Sequence, residues 1–381
     1  MIQKNCSLVR KLSSVKIRIK KILAMGRYFS FFQGLSVLFI FMFFSCGPDL
    51  TREDLLPNAM GAHGNIILLM EDNIWNGPLG EAVMYHLDQD TKGPALRSEP
   101  MFTVTRVRPD ELDHLGQMNR LLLKVMVVED TVLQETQVLE LKNYYAKGQL
   151  FVVVKDSDPD RLYSYIVNEF SYVTNIINNF ELNDLISDYK KDYNKALHER
   201  AQKNYGISIH IPSDSQIRVD SANFTWVKRD RSRHVMANSE QKNGAQTYWI
   251  QQGILIWKKP YTDPSQLMVD NVLRDRDTVL KYHVPGKLEG SYMATEMDSS
   301  VYPVGKIFAY ESAPAVEIRG IWKHAGNPAA FGGGPFVQYT LHHKGRNELV
   351  TVCVYIYGPN FDKREYIREA DAMLRTIQFV D

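Results

Sequence analysis

From Asn65 onward the apolar positions of this chain follow two rhythms, and the change from one to the other marks the elements. "NIILLM", Asn65 to Met70, is a continuous apolar run of strand length, as a buried strand requires. In "EDNIWNGPLGEAVMYHL" the spacing changes. Leu79, Val83 and Leu87 fall at i, i+4 and i+8, Pro78 suits a first helical turn, and Asp72 or Asn76 can cap. The expected unit is strand, tight turn, helix. "MFTVTRV", "LLLKVMVV" and "GQLFVVV" follow as further strands, rich in β-branched residues and separated by polar breaks.

Pro159 opens a long tract in which Leu162, Ile166, Phe170, Val173, Ile177 and Phe180 keep helical spacing. A break is expected near Asn183, and Gly206 is the expected C-terminal stop. The later, more charged part of the tract is half solvated in this reading, spanning two lobes. After it the period returns to two. "ISIHIP", "NFTWVKRD" and "YWIQQGILIWKK" alternate, and "YTDPSQLMVDNVLRDRDTVLKYHV" is a helix capped by Asp263 with Pro264 in its first turn. "GKIFAY", "AVEIRGIWK", "PFVQYTLHH" and "LVTVCVYIY" suit an antiparallel meander. Tyr366, Ala370, Met373 and Ile377 form the apolar stripe of a closing helix. The expected class is α+β: two lobes, 65–206 and 207–381, each a mainly antiparallel sheet with helices packed on one face, joined by the long helical tract.

The apolar run upstream has another meaning. Leu35 to Phe44 is about ten residues, half of what a spanning helix needs, with Arg27 and several lysines ahead of it and the small Ser45 behind. That pattern is a secretory signal, and a cysteine directly after the small residue makes it resemble a bacterial lipoprotein signal. In that reading 25–45 is removed and Cys46 becomes an acylated first residue, with the lipid bilayer as partner. The other reading, a single uncleaved helix from Tyr28 to Cys46, is short for a membrane. Residues 1–24 are basic and carry no acid, while Met25 begins a complete signal by itself, so translation is expected to start at Met25. Residues 46–64, polar and rich in Gly and Pro, are the expected tether.

Charge changes the list of partners. The chain holds 45 basic and 44 acidic residues, and removing the eight basic residues of 1–45 leaves 37 against 44, a net charge of −7. An acidic exterior argues against nucleic acid. Of three cysteines only Cys353 falls within the folded part, so no disulfide closes within it, and its place in an alternating strand marks it as a buried apolar residue.

Several segments together resemble a known family. "LPNAMGAHGNIILLMEDNIWNGPLGEAV", "SEPMFTVTRVRPDEL", "GKLEGSYMATE", "EIRGIWK", "GGPFVQY" and "YGPNFDKREYIREADAMLRTI" are similar to bacteroidete lipoproteins known only as a domain of unknown function. The resemblance implies location and taxon, and no activity. The strand and helix order from "ISIHIPSDSQIRVDSANFTWVKRD" onward is also similar to the PsbP-type α/β fold, whose members mostly bind partner proteins.

Candidate chemistry is sparse. None of the ten histidines sits in HExxH, CxxC pairs and phosphate- or dinucleotide-binding loops are absent, and adjacent His342 and His343 face opposite sides of a strand. No metal and no cofactor is expected. Two glycine-containing stretches are the candidate ligand sites. At the start of a helix, Asp72, Trp75, Asn76, Gly77 and Gly80 could line an anion site, or serve as cap and packing. Gly332, Gly333 and Gly334 could form a mobile loop, or a hairpin without function. The basic run Val227 to His234 could meet an acidic partner or headgroups, or be a solvated loop. The expected function is a non-enzymatic binding or assembly module of the envelope with an envelope protein as partner. A periplasmic hydrolase of an envelope polymer and a small-ligand carrier with its site between the lobes are the alternatives. Gly47 in place of an aspartate after Cys46 favours the outer membrane, and the lack of an acidic run favours its periplasmic face.

Overall fold

The computed structural model describes residues 52–91, 93–94, 97–129, 132–235, 246–359 and 361–380. Cys46, the expected signal 25–45 and the expected extension 1–24 lie outside the described residues. The chain divides into Met1–Leu56 and Pro57–Asp381. The first unit contributes the short 3-10 turn Arg52–Leu55. The second holds both lobes.

The first lobe is built on β1 (Asn65–Leu69), α1 (Asp72–Trp75), α2 (Pro78–Leu87), β2 (Thr103–Val107), α3 (His114–Gln117), β3 (Leu121–Val127), β4 (Gln137–Lys142) and β5 (Leu150–Asp156). Its sheet runs β2-β1-β3-β5-β4. The pairs β1/β2, β1/β3 and β3/β5 are parallel and only β4/β5 is antiparallel, so the expected antiparallel sheet is corrected to a mainly parallel one. The reason is visible in the runs themselves. Ile66, Leu68, Leu121, Leu123, Val152 and Val154 pack under the helices, while Leu69, Leu122, Phe151 and Val153 are buried on the opposite face. Strands buried on both faces carry unbroken apolar runs, which is the signature of parallel sheets.

The helical tract is three helices, α4 (Pro159–Glu169), α5 (Ser171–Lys191) and α6 (Lys195–Tyr205). The expected break at Asn183 is not there: α5 runs through it, and the chain turns at 192–194. Along α5 the burial changes partner. Val173 and Ile177 sit in the core of the first lobe, whereas Leu182, Leu185 and Tyr189 sit in the core of the second. The helix α6 also packs on the second lobe through Leu197, Ala201 and Tyr205, so the second core draws on residues well ahead of the expected 206/207 boundary. Gly206 ends the tract in the left-handed conformation, φ 67°.

The second lobe comprises β6 (Ile207–Ser208), β7 (Gln216–Asp220), β8 (Phe224–Val235), β9 (Gln246–Pro260), α7 (Val269–His283), β10 (Tyr292–Thr295), β11 (Val304–Tyr310), β12 (Ala313–Ala325), β13 (Gly333–His343), β14 (Glu348–Tyr357), α8 (Arg364–Leu374) and β15 (Gln378–Phe379). Its large sheet is antiparallel, in the order β10-β12-β13-β14-β9-β8-β7 with β11 beside β12, and it contains the expected meander β11 to β14. Helices cover both faces, not one. Ala201, Ala370 and Met373 of α6 and α8 pack with Val337, Val350 and Val352, while Val272, Leu273 and Leu280 of α7 pack with Trp257, Phe336 and Cys353 on the other side. The central strands β13 and β14 are buried along nearly their whole length, and because successive side chains point to opposite faces, each face needs a cover.

Buried charge ties the lobes together. Glu181 of α5, fully buried, is bonded by His63 and by Arg120 at 3.3 Å, and Arg120 also reaches Asp184 at 2.9 Å. Burial alone would push the Glu181 carboxyl up, but the His63 bond and the Arg120 charge outweigh it and hold it below the usual range. From the first lobe, Glu99 accepts from the backbone N–H groups of Lys363 and Arg364 at 2.6 and 2.8 Å, at the start of α8. The expected tether is shorter than 46–64. Ala59 and Met60 donate to the carbonyls of Lys147 and Met118, each at 2.8 Å, so 57–64 is laid into the first lobe.

Candidate functional site

The first expected site is in the first lobe and is occupied by the chain itself. Asp72 opens α1 and its carboxylate is bonded by Arg106, with Arg108 at 3.6 Å. Arg106, then Arg108, hold the Asp72 carboxyl below the usual carboxylate range. Trp75 lies under the Arg106 guanidinium at 5.7 Å. Neither Asp72 nor Asn76 caps a helix through its side chain: Glu71 precedes α1 and Gly77 precedes α2, and neither makes a side-chain cap. Gly80 is a packing residue, since a Cβ there would stand 2.1 Å from the Trp75 carbonyl oxygen. The five residues come together, but as an ion pair and a close helix contact.

The basic run is corrected in a different way. It is a strand, β8, and alternation sends its charges to opposite faces. Arg229, Arg231 and Arg233 turn toward α8, where Arg231 grips Glu369 at 3.0 and 2.6 Å and Arg233 meets Glu365 at 3.0 Å. Arg229 bonds Asp214 at 2.6 Å. These arginines clamp a helix. Lys228 points the other way.

On that other face the second lobe has a cavity of about 380 Å³. Its floor is aromatic. Trp226 and Tyr355, 129 residues apart, meet through a hydrogen bond from the indole N–H to the tyrosine oxygen at 3.1 Å. Gly253 makes room for this, because a Cβ there would lie 2.0 Å from the Tyr355 ring. Burial raises the Tyr355 phenol well above its usual range, keeping it a neutral wall. Trp322 stands against Tyr355 edge to face, with ring centroids 5.5 Å apart, and its N–H donates to the Ile356 carbonyl at 3.0 Å. Gly334 permits that approach, since a Cβ there would be 2.1 Å from the same carbonyl oxygen.

The walls are two loops. One, Val284 to Leu288, follows α7; the other, Ala329 to Phe331, joins β12 to β13. The Asn327 amide donates to the Glu289 carbonyl at 2.9 Å and ties them. Gly332, with φ 137°, turns the second loop back beside His324, and Gly333 and Gly334 belong to β13, paired with Lys323 and Trp322. The glycine run is therefore a strand start that shapes one wall. The polar groups on the lining are Lys228, Gln251, Lys287, His324 and the tyrosines, with no carboxylate among them. Burial lowers both Lys228 and His324 from their usual values.

The sequence had marked Gly332 to Gly334 and Lys228 but not Trp226, Trp322, Tyr355 or Tyr357. The available signal was alternation: Trp226 and Lys228, then Tyr355 and Tyr357, are same-face pairs at the ends of apolar strands. Among the described residues no group of three or more His, Cys, Asp or Glu is placed to hold a metal ion, and no helix is long and apolar enough to cross a membrane.

Two family models match the chain, each described as a domain of unknown function: DUF8532 over residues 59–190 and DUF4837 over 194–376. No curated protein matches. Among solved structures, the chain is similar to a point mutant of protein Mog1, at 8% identity and TM-score 0.27, covering 46% of this chain and 92% of that one. It is similar to the Saccharomyces cerevisiae Ran-binding protein Mog1p at 9% identity and TM-score 0.25, covering 46% and 91%. It is also similar to cyanobacterial PsbP from Synechocystis sp. PCC 6803 at 8% identity and TM-score 0.21, covering 44% and 92%.

Proposed function

We propose that this chain is a binding module that holds one small, largely apolar ligand in the cavity of its second lobe. The observation that carries this is the cavity itself: about 380 Å³, floored by two indoles and a buried tyrosine. Ligand sites are concave, mostly apolar and about 300 to 1,000 Å³ in volume, with a few polar groups that fix orientation. The lining carries no carboxylate, so glycan hydrolysis by a pair of carboxylates has no support in this cavity. The carrier expected from the sequence has its site between the lobes; this cavity lies within the second lobe, and it supports a carrier with its site there.

Native mass spectrometry of the chain isolated from its own cells tests this. One stoichiometric small molecule is expected on the wild type and none on Ala330→Trp, which sets an indole into the cavity wall. A wild type without adduct at full folding, or an adduct unaffected by Ala330→Trp, would overturn it.

The place of the module is part of the same proposal. Its support is the short apolar core Leu35 to Phe44, the small Ser45 and Cys46. Acyl chains on Cys46 would hold the body at an envelope membrane, on the periplasmic face of the outer membrane in a bacteroidete. The bilayer is the partner this assigns; no envelope protein is assigned. Labelling with an alkynyl fatty acid checks it: label is expected on the wild type and absent from Cys46→Ala, and an unlabelled wild type contradicts it.

A further inference from the structure

Resting on the reading of the cavity as a ligand site, we propose that its ligand is an amphiphilic anion, whose apolar body lies between Trp226, Trp322 and Phe331 and whose acid group meets Lys228 and Lys287. The charge balance of one strand carries the inference. On the α8 side of β8 every arginine has a carboxylate: Arg229 has Asp214 and Glu369, Arg231 has Glu369, and Arg233 has Glu365. On the cavity side the pattern fails. Among the described residues no carboxylate forms an ion pair with Lys228, Lys287 or nearby Arg218.

Lys228 is half-buried, with its ammonium 4.8 Å from the centre of the Trp226 ring. The acid that shares its face, Asp230, accepts from the Gln251 amide at 2.7 Å and forms no ion pair with Lys228, though its charge offsets part of the surplus. Burial lowers the Lys228 pKa, the Arg218 and Lys287 charges lower it further, and Asp230 opposes them. An ammonium taken partly out of water beside two like charges is costly unless an anion joins it. The charges sit where the aromatic floor ends, so a bound molecule needs an apolar part and an acidic part at once. Burial lowers the pKa of His324, which disfavours a further positive charge there.

Two dyes with the same ring body separate the charge from the cavity: anilinonaphthalene sulfonate carries an acid, and phenylnaphthylamine does not. In fluorescence titrations of the full chain at low salt, the sulfonate is expected to bind one site at least about tenfold tighter than the amine. Lys228→Gln is expected to remove most of that preference, Lys228→Arg to keep it, and the exposed Lys287→Gln to reduce it. Phe331 is 88% exposed, so Phe331→Glu tests the mouth without a folding cost and is expected to weaken the sulfonate more than the amine. Equal affinity for the two dyes, or a preference that survives Lys228→Gln, overturns the anion and leaves the cavity standing. If neither dye binds, or if both ignore Phe331→Glu, the cavity reading itself falls.

Discussion

Replacing Glu369 asks whether the basic run of β8 is an internal clamp or a surface for partners. Glu369 is 18% exposed and Arg231 23% exposed, and the two are joined by two parallel hydrogen bonds with the guanidinium 4.7 Å over the Tyr366 ring. Deleting one partner of a fully buried pair costs about 3–5 kcal/mol, and an exposed pair contributes about 0–1 kcal/mol. At roughly one-fifth exposure, Glu369→Ala should destabilise the fold by about 2–3 kcal/mol. The neighbouring pair is the internal control. Arg233 is 46% exposed and Glu365 27%, so solvent screens it, and Glu365→Ala should cost less than about 0.5 kcal/mol. Urea unfolding followed by tryptophan fluorescence measures both, and a double-mutant cycle with Arg231→Ala should return a coupling of about 1.5–2.5 kcal/mol. Equal costs for Glu369→Ala and Glu365→Ala, or a coupling near zero, would refute the clamp and return these arginines to the surface.

Three further outcomes follow from buried groups. Asp156 is held below the usual carboxylate range because Arg161, Thr136 and the Asp158 N–H outweigh its burial; its stabilisation is complete above the unfolded carboxylate value and is lost as pH falls, so Asp156→Asn should be less stable at pH 7 by about 1–3 kcal/mol and should flatten the acid limb below about pH 4 in a pH series of unfolding midpoints. Gly253→Ala should displace the Tyr355 ring, cost about 1–3 kcal/mol in the same unfolding assay and weaken dye binding. Cys353 is fully buried and its thiol is pushed up by that burial, so peptide mapping after iodoacetamide should find it unmodified in the native chain and alkylated in urea.

How much of this could be read in the residues depended on how local the signal was. The meander β11 to β14 and the stop at Gly206 each rest on a few consecutive positions and are in the structure, as is the stripe of α8 through Tyr366, Ala370 and Met373, whereas Ile377 lies past the helix end at Leu374. The sense of the first sheet rests on which strands neighbour each other, and β3 joins β1 only after the chain has passed through β2. The unbroken apolar runs were the clue to two-sided burial. The unbroken course of α5 is not legible locally, because its apolar positions change partners on either side of Glu181. The cavity was the least legible part. Trp226, Met293, Trp322 and Tyr355 come from four strands, and only the glycines that admit their rings, Gly253 and Gly334, hint that large side chains lie across the backbone there.

A crystal structure of the chain with anilinonaphthalene sulfonate bound tests the central claim most directly. Density for the dye is expected between Trp226, Trp322 and Phe331, with the sulfonate within hydrogen-bond reach of the Lys228 ammonium. A cavity closed by its own side chains, or dye seated on another surface with Lys228 bare, would contradict it.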